Sequence, residues 1–304
     1  MNELKEGVSH HMPMLTKDQI QMRDPFVLPH EADGTYYLYG STDADIWKAK
    51  GVGFDAYRSK DLVNWEGPFP AFRPTPAFWA DLNFWAPEVH PYHGRYYMFA
   101  TFKAEGVCRG TQILVADTPL GPFIPHSDGP VTPRDWECLD GTLFVDDEGV
   151  PWIIFCHEWV QIKNGTVCAQ RLSPELDHAN GEPVVLFAAN DASWVDPVHS
   201  NRHGTGYVTD GPFAYRCDNG ELLLLWSSFR QGKYAQATAR STSGRIVGPW
   251  VHDPEPLFDS DGGHGMIFRT FAGDRYLALH TPNSTPDERP IFIPLQERDG
   301  RLSV

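Results

Sequence analysis

The chain is short of cysteine, of positive charge and of any long apolar run. It has five cysteines and no CxxC pair, which removes the usual sequence marks of a zinc or dithiol site. Cys156 and Cys168 sit in apolar, strand-like contexts and read as buried free thiols. Lysine and arginine number 25 against 40 aspartates and glutamates, a net charge of −15. That balance repels phosphate backbones and anionic lipid, so neither nucleic acid nor a membrane surface is an expected partner. No stretch reaches the roughly 18 apolar residues that cross a bilayer. The opening MNELKEGVSHHMPMLTKDQIQ holds no apolar core of the roughly 7–15 residues that a signal peptide needs. The expected compartment is therefore the cytoplasm, or the outside after loss of an export signal. His10 and His11 fit no ligand spacing and read either as disordered or as an inert local feature. Helical periodicity is scarce throughout.

What is abundant is one phrase, repeated. An ionisable residue leads into a short apolar run, a polar turn with glycine, and a second apolar or aromatic block. The copies are DPFVLPHEADGTYYLYG from Asp24, EVHPYHGRYYMFA from Glu88, DGTLFVDDEGVPWIIFC from Asp140, DGPFAYRCDNGELLLLW from Asp210 and HGMIFRTFAGDRYLALH from His264. Their lead residues step by 64, 52, 70 and 54. Strand–turn–strand units at such a period describe an all-β, five-bladed β-propeller. Residues 21–304 form one propeller domain in this reading, and residues 1–20 an irregular N-terminal extension. A second phrase recurs between copies: SKDLVNWEGPF from Ser59, ADTPLGPF from Ala116 and RSTSGRIVGPW from Arg240. It reads as the turn joining the two outer strands of a blade. The longest stretch without a copy, Leu172 to Tyr207, reads either as the outer half of the third blade or as a loop over the channel. Aromatics, 13% of the chain, fill the wedges between twisted sheets, so most of the ten tryptophans are expected in the core.

Equivalent positions in a propeller surround one axis, so Asp24, Glu88, Asp140, Asp210 and His264 are expected to ring one end of the channel. Converging carboxylates can hold a hard cation, divide acid and base duties, or simply cap strand ends. Trp79 and Trp85, in the proline-flanked stretch AFWADLNFWAPEV, are expected near the channel mouth, where aromatic faces suit stacking on sugar rings. His157, Arg230 and His280 lie at or just beyond strand ends in different blades and are candidates to bond sugar hydroxyls. Glu88 is expected in a structural or substrate-contact role.

The wording of the copies resembles glycoside hydrolase family 43. Arg23-Asp24-Pro25-Phe26, Trp85 to Val89 (WAPEV), Leu139 to Phe144 (LDGTLF), Thr209 to Phe213 (TDGPF) and Gly262 to Phe268 (GGHGMIF) occur in that family's order. The resemblance implies a five-bladed propeller that removes arabinose, xylose or related sugars from plant polysaccharides with inversion. It implies that Asp24 is the general base, that Asp140 orients the acid and raises its pKa, and that Asp210 holds the general-acid position. The family pattern has glutamate there. Aspartate is one methylene shorter, withdrawing the proton donor by roughly 1.5 Å; Glu88 is the first reserve, with Glu158 and Glu182 behind it. The resemblance further implies that His264 lies beside an axial calcium or water cluster, with no cofactor required for the chemistry.

The expected function is thus an inverting exo-glycoside hydrolase releasing terminal α-L-arabinofuranosyl units, with β-D-xylosyl and β-D-galactofuranosyl as rivals on the same scaffold. A retaining fructosidase is suggested only by Trp136-Glu137-Cys138 and Arg23-Asp24-Pro25. A catalytically silent carbohydrate-binding propeller is the reading from another class. The partner is a carbohydrate in every case, and oligomeric state is left open.

Overall fold

Each glycine turn of the repeat closes a hairpin, and the hairpins assemble into five antiparallel sheets. The computed structural model describes residues 14–304. Blade I is built from Arg23–His30, Thr35–Ser41, Phe54–Ser59 and Trp65–Phe72. Blade II comprises Leu82–Tyr92, Arg95–Ala104, Val107–Ala116 and Ile124–Pro130. Blade III comprises Cys138–Val145, Pro151–His157, Thr166–Leu172 and Ala179–Ala188. Blade IV comprises Asp210–Arg216, Leu222–Arg230, Lys233–Ser241 and Trp250–His252. Blade V has three strands, Gly263–Arg269, Arg275–Thr281 and Arg289–Pro294. The Gly-Pro pairs of blades II and IV lie between the third and fourth strands, as their spacing predicts, whereas Gly67-Pro68 of blade I falls inside the fourth strand. The stretch from Leu172 to Tyr207 supplies the outer strand of blade III, one of its two expected readings, and then an unexpected hairpin, Val198–Ser200 with Gly204–Gly206, whose Val198 and His199 line a pocket.

Hydrophobic side chains from neighbouring sheets meet in clusters between blades rather than at one centre. Trp65, Trp152, Trp194 and Trp226 are buried in them. Trp79, Trp136 and Trp250 pack against them partly buried, so most of the ten tryptophans are core as expected, whereas Trp47 is 51% exposed and Trp85 and Trp159 line the same pocket as the hairpin. The five cysteines are free, and four are buried. No helix among the described residues is long and apolar enough to cross a membrane.

The ring closes where the start of the chain meets blade V. Met22 N donates to Glu288 O at 3.3 Å, and the Arg289 guanidinium donates to Asp18 O at 2.8 Å. Of the expected irregular extension, residues 1–13, with His10 and His11, lie outside the described residues. The remainder is ordered by the closure: Met14–Leu15 pairs with Trp65 and Glu66, and Ile20 is buried.

One irregularity repeats in all five blades. The innermost strand skips two residues in its pairing with the second, between Arg23 and Phe26, Trp85 and Glu88, Leu139 and Thr142, Asp210 and Phe213, and Gly263 and Met266. The first skipped residue has positive φ each time: Asp24 at 54°, Ala86 at 45°, Asp140 at 57°, Gly211 at 47° and His264 at 51°. L-residues avoid that region, and such strain persists where surrounding structure enforces it. A bulge also re-aims its side chain. The backbone equivalents are therefore Asp24, Ala86, Asp140, Gly211 and His264. Glu88 lies two residues beyond its bulge and Asp210 one residue before, a correction to the aligned lead residues.

Candidate active site

A bulge frees a backbone N–H from the ladder, and a buried N–H without an acceptor is costly. Each freed donor is taken by a side chain of the preceding blade. Ala86 N donates to Ser41 Oγ at 2.8 Å, Asp140 N to Thr101 Oγ1 at 2.9 Å, and His264 N to Ser227 Oγ at 2.8 Å. Asp24 N donates to His280 Nδ1 at 3.1 Å, and Gly211 N to Asp140 Oδ2 at 3.0 Å. This collar of hydrogen bonds fixes the lead residues around the axis. Glycine is required at 211, because a Cβ there would lie 2.7 Å from His264 Cγ, in addition to adopting positive φ. The carboxylate of blade IV comes from the residue before it.

Above the collar opens a pocket of about 390 Å³. Blade I contributes Arg23, Asp24 and Trp47, blade II Trp85, and blade III Asp140, Glu158 and Trp159. Val198 and His199 come from the hairpin between blades III and IV, Asp210 and Phe229 from blade IV, and His264, Asn283 and Thr285 from blade V. Trp47 Nε1 donates to Thr285 Oγ1 at 3.0 Å, linking the rims of blades I and V. Trp85 is pinned by Nε1 donating to Ile46 O at 2.8 Å, with the Arg109 guanidinium 4.4 Å from its ring centroid.

The three aspartates share the pocket and differ in surroundings. Asp24 Oδ2 accepts from Ser41 Oγ at 2.6 Å, and His264 Nδ1 lies 3.2 Å from Asp24 Oδ1 and 3.6 Å from Asp140 Oδ2. Burial works to raise the Asp24 pKa, yet it stays below the usual carboxylate value, held there first by His264, with Arg23 and the Ser41 hydroxyl beside it. His280 is fully buried, and burial with the Arg23 charge lowers its pKa to about 3. It is therefore a neutral acceptor for Asp24 N–H rather than a charged partner of the carboxylate 3.5 Å away.

On the other side, burial raises Asp140 to about 7, reinforced by the Asp24 charge. Burial, followed by the Asp140 charge and contact, pushes Asp210 well above the ordinary value. Asp210 Oδ2 also accepts from Tyr234 Oη at 2.9 Å. Two carboxylates this close cannot both ionise, so the pair retains a proton. Asp140, Asp210 and His264 each place one ligand-type atom within 4.8 Å of the others. Two carboxylates and an imidazole make three of the six to eight ligands that calcium takes, so water would have to supply the rest.

Other expected contacts lie elsewhere. His157 stacks on Trp136 with centroids 4.2 Å apart and bonds Gln161 at 2.7 Å. Arg230 turns away to pair with Glu255 at 2.6 Å. In both cases strand alternation presents the neighbour, Glu158 or Phe229, to the pocket instead. Trp79 donates to Gln112 at 2.7 Å and lines a separate cavity. Glu88 is buried below the collar, bonded by Thr142 and, at 3.1 Å, by His90. Among the reserve acids only Glu158 reaches the pocket; burial raises its pKa although Arg109 pairs with it. Glu182 is exposed on the outer strand of blade III. Glu137, of the fructosidase-like phrase, is bonded to Lys103 at 2.6 Å outside the pocket. Sequence reasoning missed Arg23, Trp47, Trp159, His199, Asn283 and Thr285. Arg23 alone had a signal, as the residue preceding the first lead aspartate.

A family model described as glycosyl hydrolases family 43 matches residues 18–296. The extracellular exo-α-(1→5)-L-arabinofuranosidase ArbA of Cellvibrio japonicus is 29% identical over 296 residues, spanning 86% of this chain and 79% of that one. The crystal structure of an endo-arabinase from Bacteroides thetaiotaomicron VPI-5482 matches with a TM-score of 0.89 at 43% identity, covering 94% of this chain and 98% of that one. A xylosidase/arabinosidase of Bacteroides ovatus is 28% identical over 141 residues, 41% of this chain and 42% of that one.

Proposed function

Since the chain belongs to glycosyl hydrolases family 43 and is an inverting glycoside hydrolase, we propose that it removes terminal α-L-arabinofuranosyl units from plant-type oligo- and polysaccharides. The sugar is favoured by two relatives, one named an exo-arabinofuranosidase and the other an endo-arabinase. The exo mode is carried by the pocket wall. Residues from all five blades surround the carboxylates, and the Trp47–Thr285 hydrogen bond closes the rim between blades I and V. A bridge across that rim favours a chain end, because an internal linkage needs a groove open on two sides. We place the work outside the cytoplasm, as its name does for the Cellvibrio protein.

In this mechanism Asp24, ionised, takes a proton from a water whose oxygen attacks the anomeric carbon. The bond to the leaving oxygen breaks, and Asp210 delivers its proton there. Asp140, held by Gly211 N–H, keeps the proton on Asp210 by like-charge repulsion. His264 fixes Asp24 and Asp140 relative to each other. Asp210 lies one residue ahead of the glycine bulge, within reach of Asp140 and Tyr234.

The test is a panel of aryl α-L-arabinofuranosides, β-D-xylosides and β-D-galactofuranosides, with linear arabino-oligosaccharides alongside. Arabinose as sole early product, first formed with inverted anomeric configuration, is the expected result. Early release of oligosaccharides would overturn the exo mode, and preference for xyloside or galactofuranoside would overturn the sugar. Thr285→Ala opens the rim, and it should add short oligosaccharides to the early products.

A further inference from the structure

Beside the catalytic pocket lies a second cavity of about 310 Å³, lined by Trp79, Val107, Arg109, Pro130, Pro133 and Arg134 among others. We propose that it is an accessory sugar-binding site, holding a neutral sugar unit on the leaving-group side of the chain whose end occupies the catalytic pocket. The inference rests on the glycosidase reading but not on the identity of the sugar removed.

The cavity has the chemistry of a sugar site. Its indole is fixed: Trp79 Nε1 donates to Gln112 Oε1 at 2.7 Å, and Gln112 is itself buried and donates to Ser127 O at 2.9 Å. A ring so held presents a flat face at little entropic cost, the arrangement on which sugar C–H faces stack. Pro130, Pro133 and the exposed Val107 extend the apolar wall. Polar groups at its edge can meet hydroxyls. Arg134 is exposed, and its guanidinium donates to Asp128 O at 2.6 Å, leaving its other N–H groups to meet hydroxyls.

Arg109 makes the two cavities neighbours. Its guanidinium packs over Trp85, bonds Glu158, and donates to Asn83 Oδ1 at 3.2 Å. Trp85 and Glu158 line the catalytic pocket, while Arg109 itself lines the second cavity. One side chain therefore forms the partition, and a chain leaving the first pocket over blade II meets the second.

The experiment measures KM and kcat for an aryl monoglycoside and for a linear oligosaccharide of six units in wild type, Trp79→Ala, Trp79→Phe and Arg134→Ala. Loss of one stacked ring should raise oligosaccharide KM roughly tenfold in Trp79→Ala. Trp79→Phe and Arg134→Ala should give smaller rises, with kcat and aryl-glycoside kinetics unchanged. Arg134 is exposed, so its variant decides the matter if Trp79→Ala fails to fold. Unchanged oligosaccharide KM in the folded variants, or equal rises on both substrates, would overturn the proposal. Calorimetric binding of arabino- and xylo-oligosaccharides to the same variants in an Asp24→Asn background needs no turnover. It separates failure of this site from failure of the catalytic reading: chain-length-dependent binding lost with Trp79 supports the site, and binding indifferent to Trp79 and Arg134 sinks it.

Discussion

Four of the five joints between blades are built one way, and the joint between blades III and IV another. At four, the bulge N–H is accepted by the side chain at one register position of the preceding blade's second strand. Those side chains are Ser41, Thr101, Ser227 and His280, paired with Arg23, Trp85, Asp210 and Gly263. At the fifth joint that position is Cys156, paired with Leu139. A thiol is a weak acceptor, and the Gly211 N–H goes to the Asp140 carboxylate instead. At four joints the backbone is thus held by a group other than a carboxylate of the pocket. At the fifth, one carboxylate serves both the backbone and the chemistry, and the proton-holding pair lies there. On the opposite side Asp24 faces a hydroxyl, an imidazole and a guanidinium, which keep it ionised.

The largest expected effects come from removing each side of this contrast. Asp24→Asn abolishes the base and should lower kcat by roughly 10³–10⁴ on every substrate, because water attack is needed whatever the leaving group. Asp210→Asn removes the acid and should cost roughly 10²–10³ on natural glycosides but far less on aryl glycosides with good leaving groups. Steady-state kinetics on both substrate types checks the pair. Equal losses from Asp210→Asn on both would move the acid to Glu158, a further carboxyl in the pocket with a raised pKa.

The contrast was only partly legible in the sequence. Period, blade number and three aspartates follow from the repeated phrase, because turns and apolar alternation are local. The joints are not local. Aligning copies by ionisable residue put Glu88 beside Asp24, whereas the backbone puts Ala86 there, and nothing in residue type reports a bulge register. His157 and Arg230 failed for a related reason: each lies at a strand end near the pocket, but one step of alternation decides which neighbour enters it. Trp47, His199, Asn283 and Thr285 arrive on loops whose lengths vary between blades, so they share no recurring position.

The same contrast sets the pH profile of kcat/KM. Asp24 must be ionised, so activity falls as pH drops through its depressed pKa, below the ordinary carboxylate value. Asp210 must hold a proton, so activity falls as pH rises through the raised titration of the Asp140–Asp210 pair, at or above about 7. The profile should be a broad bell with its alkaline limb belonging to the pair. Asp210→Asn should abolish that limb on aryl glycosides; its persistence would assign the limb to another group.

Cys156→Ser makes the exceptional joint resemble the others, and it should give the smallest effect. A hydroxyl at 156 competes for the Gly211 N–H and withdraws it from Asp140 Oδ2. That hydrogen bond favours the charged form of Asp140 and now lowers its pKa, so its loss should move the pair's titration upward. A net hydrogen bond of about 0.5–1.5 kcal/mol corresponds to a shift of up to about one pH unit. The alkaline limb should therefore move to higher pH, with kcat at the optimum changed less than about threefold. Cys156→Ala removes the thiol without adding an acceptor and should leave the limb in place, which separates the hydrogen-bond exchange from a packing defect. If the serine and alanine variants titrate alike, Asp140 owes its hold on Gly211 to its own geometry and not to the weakness of the thiol.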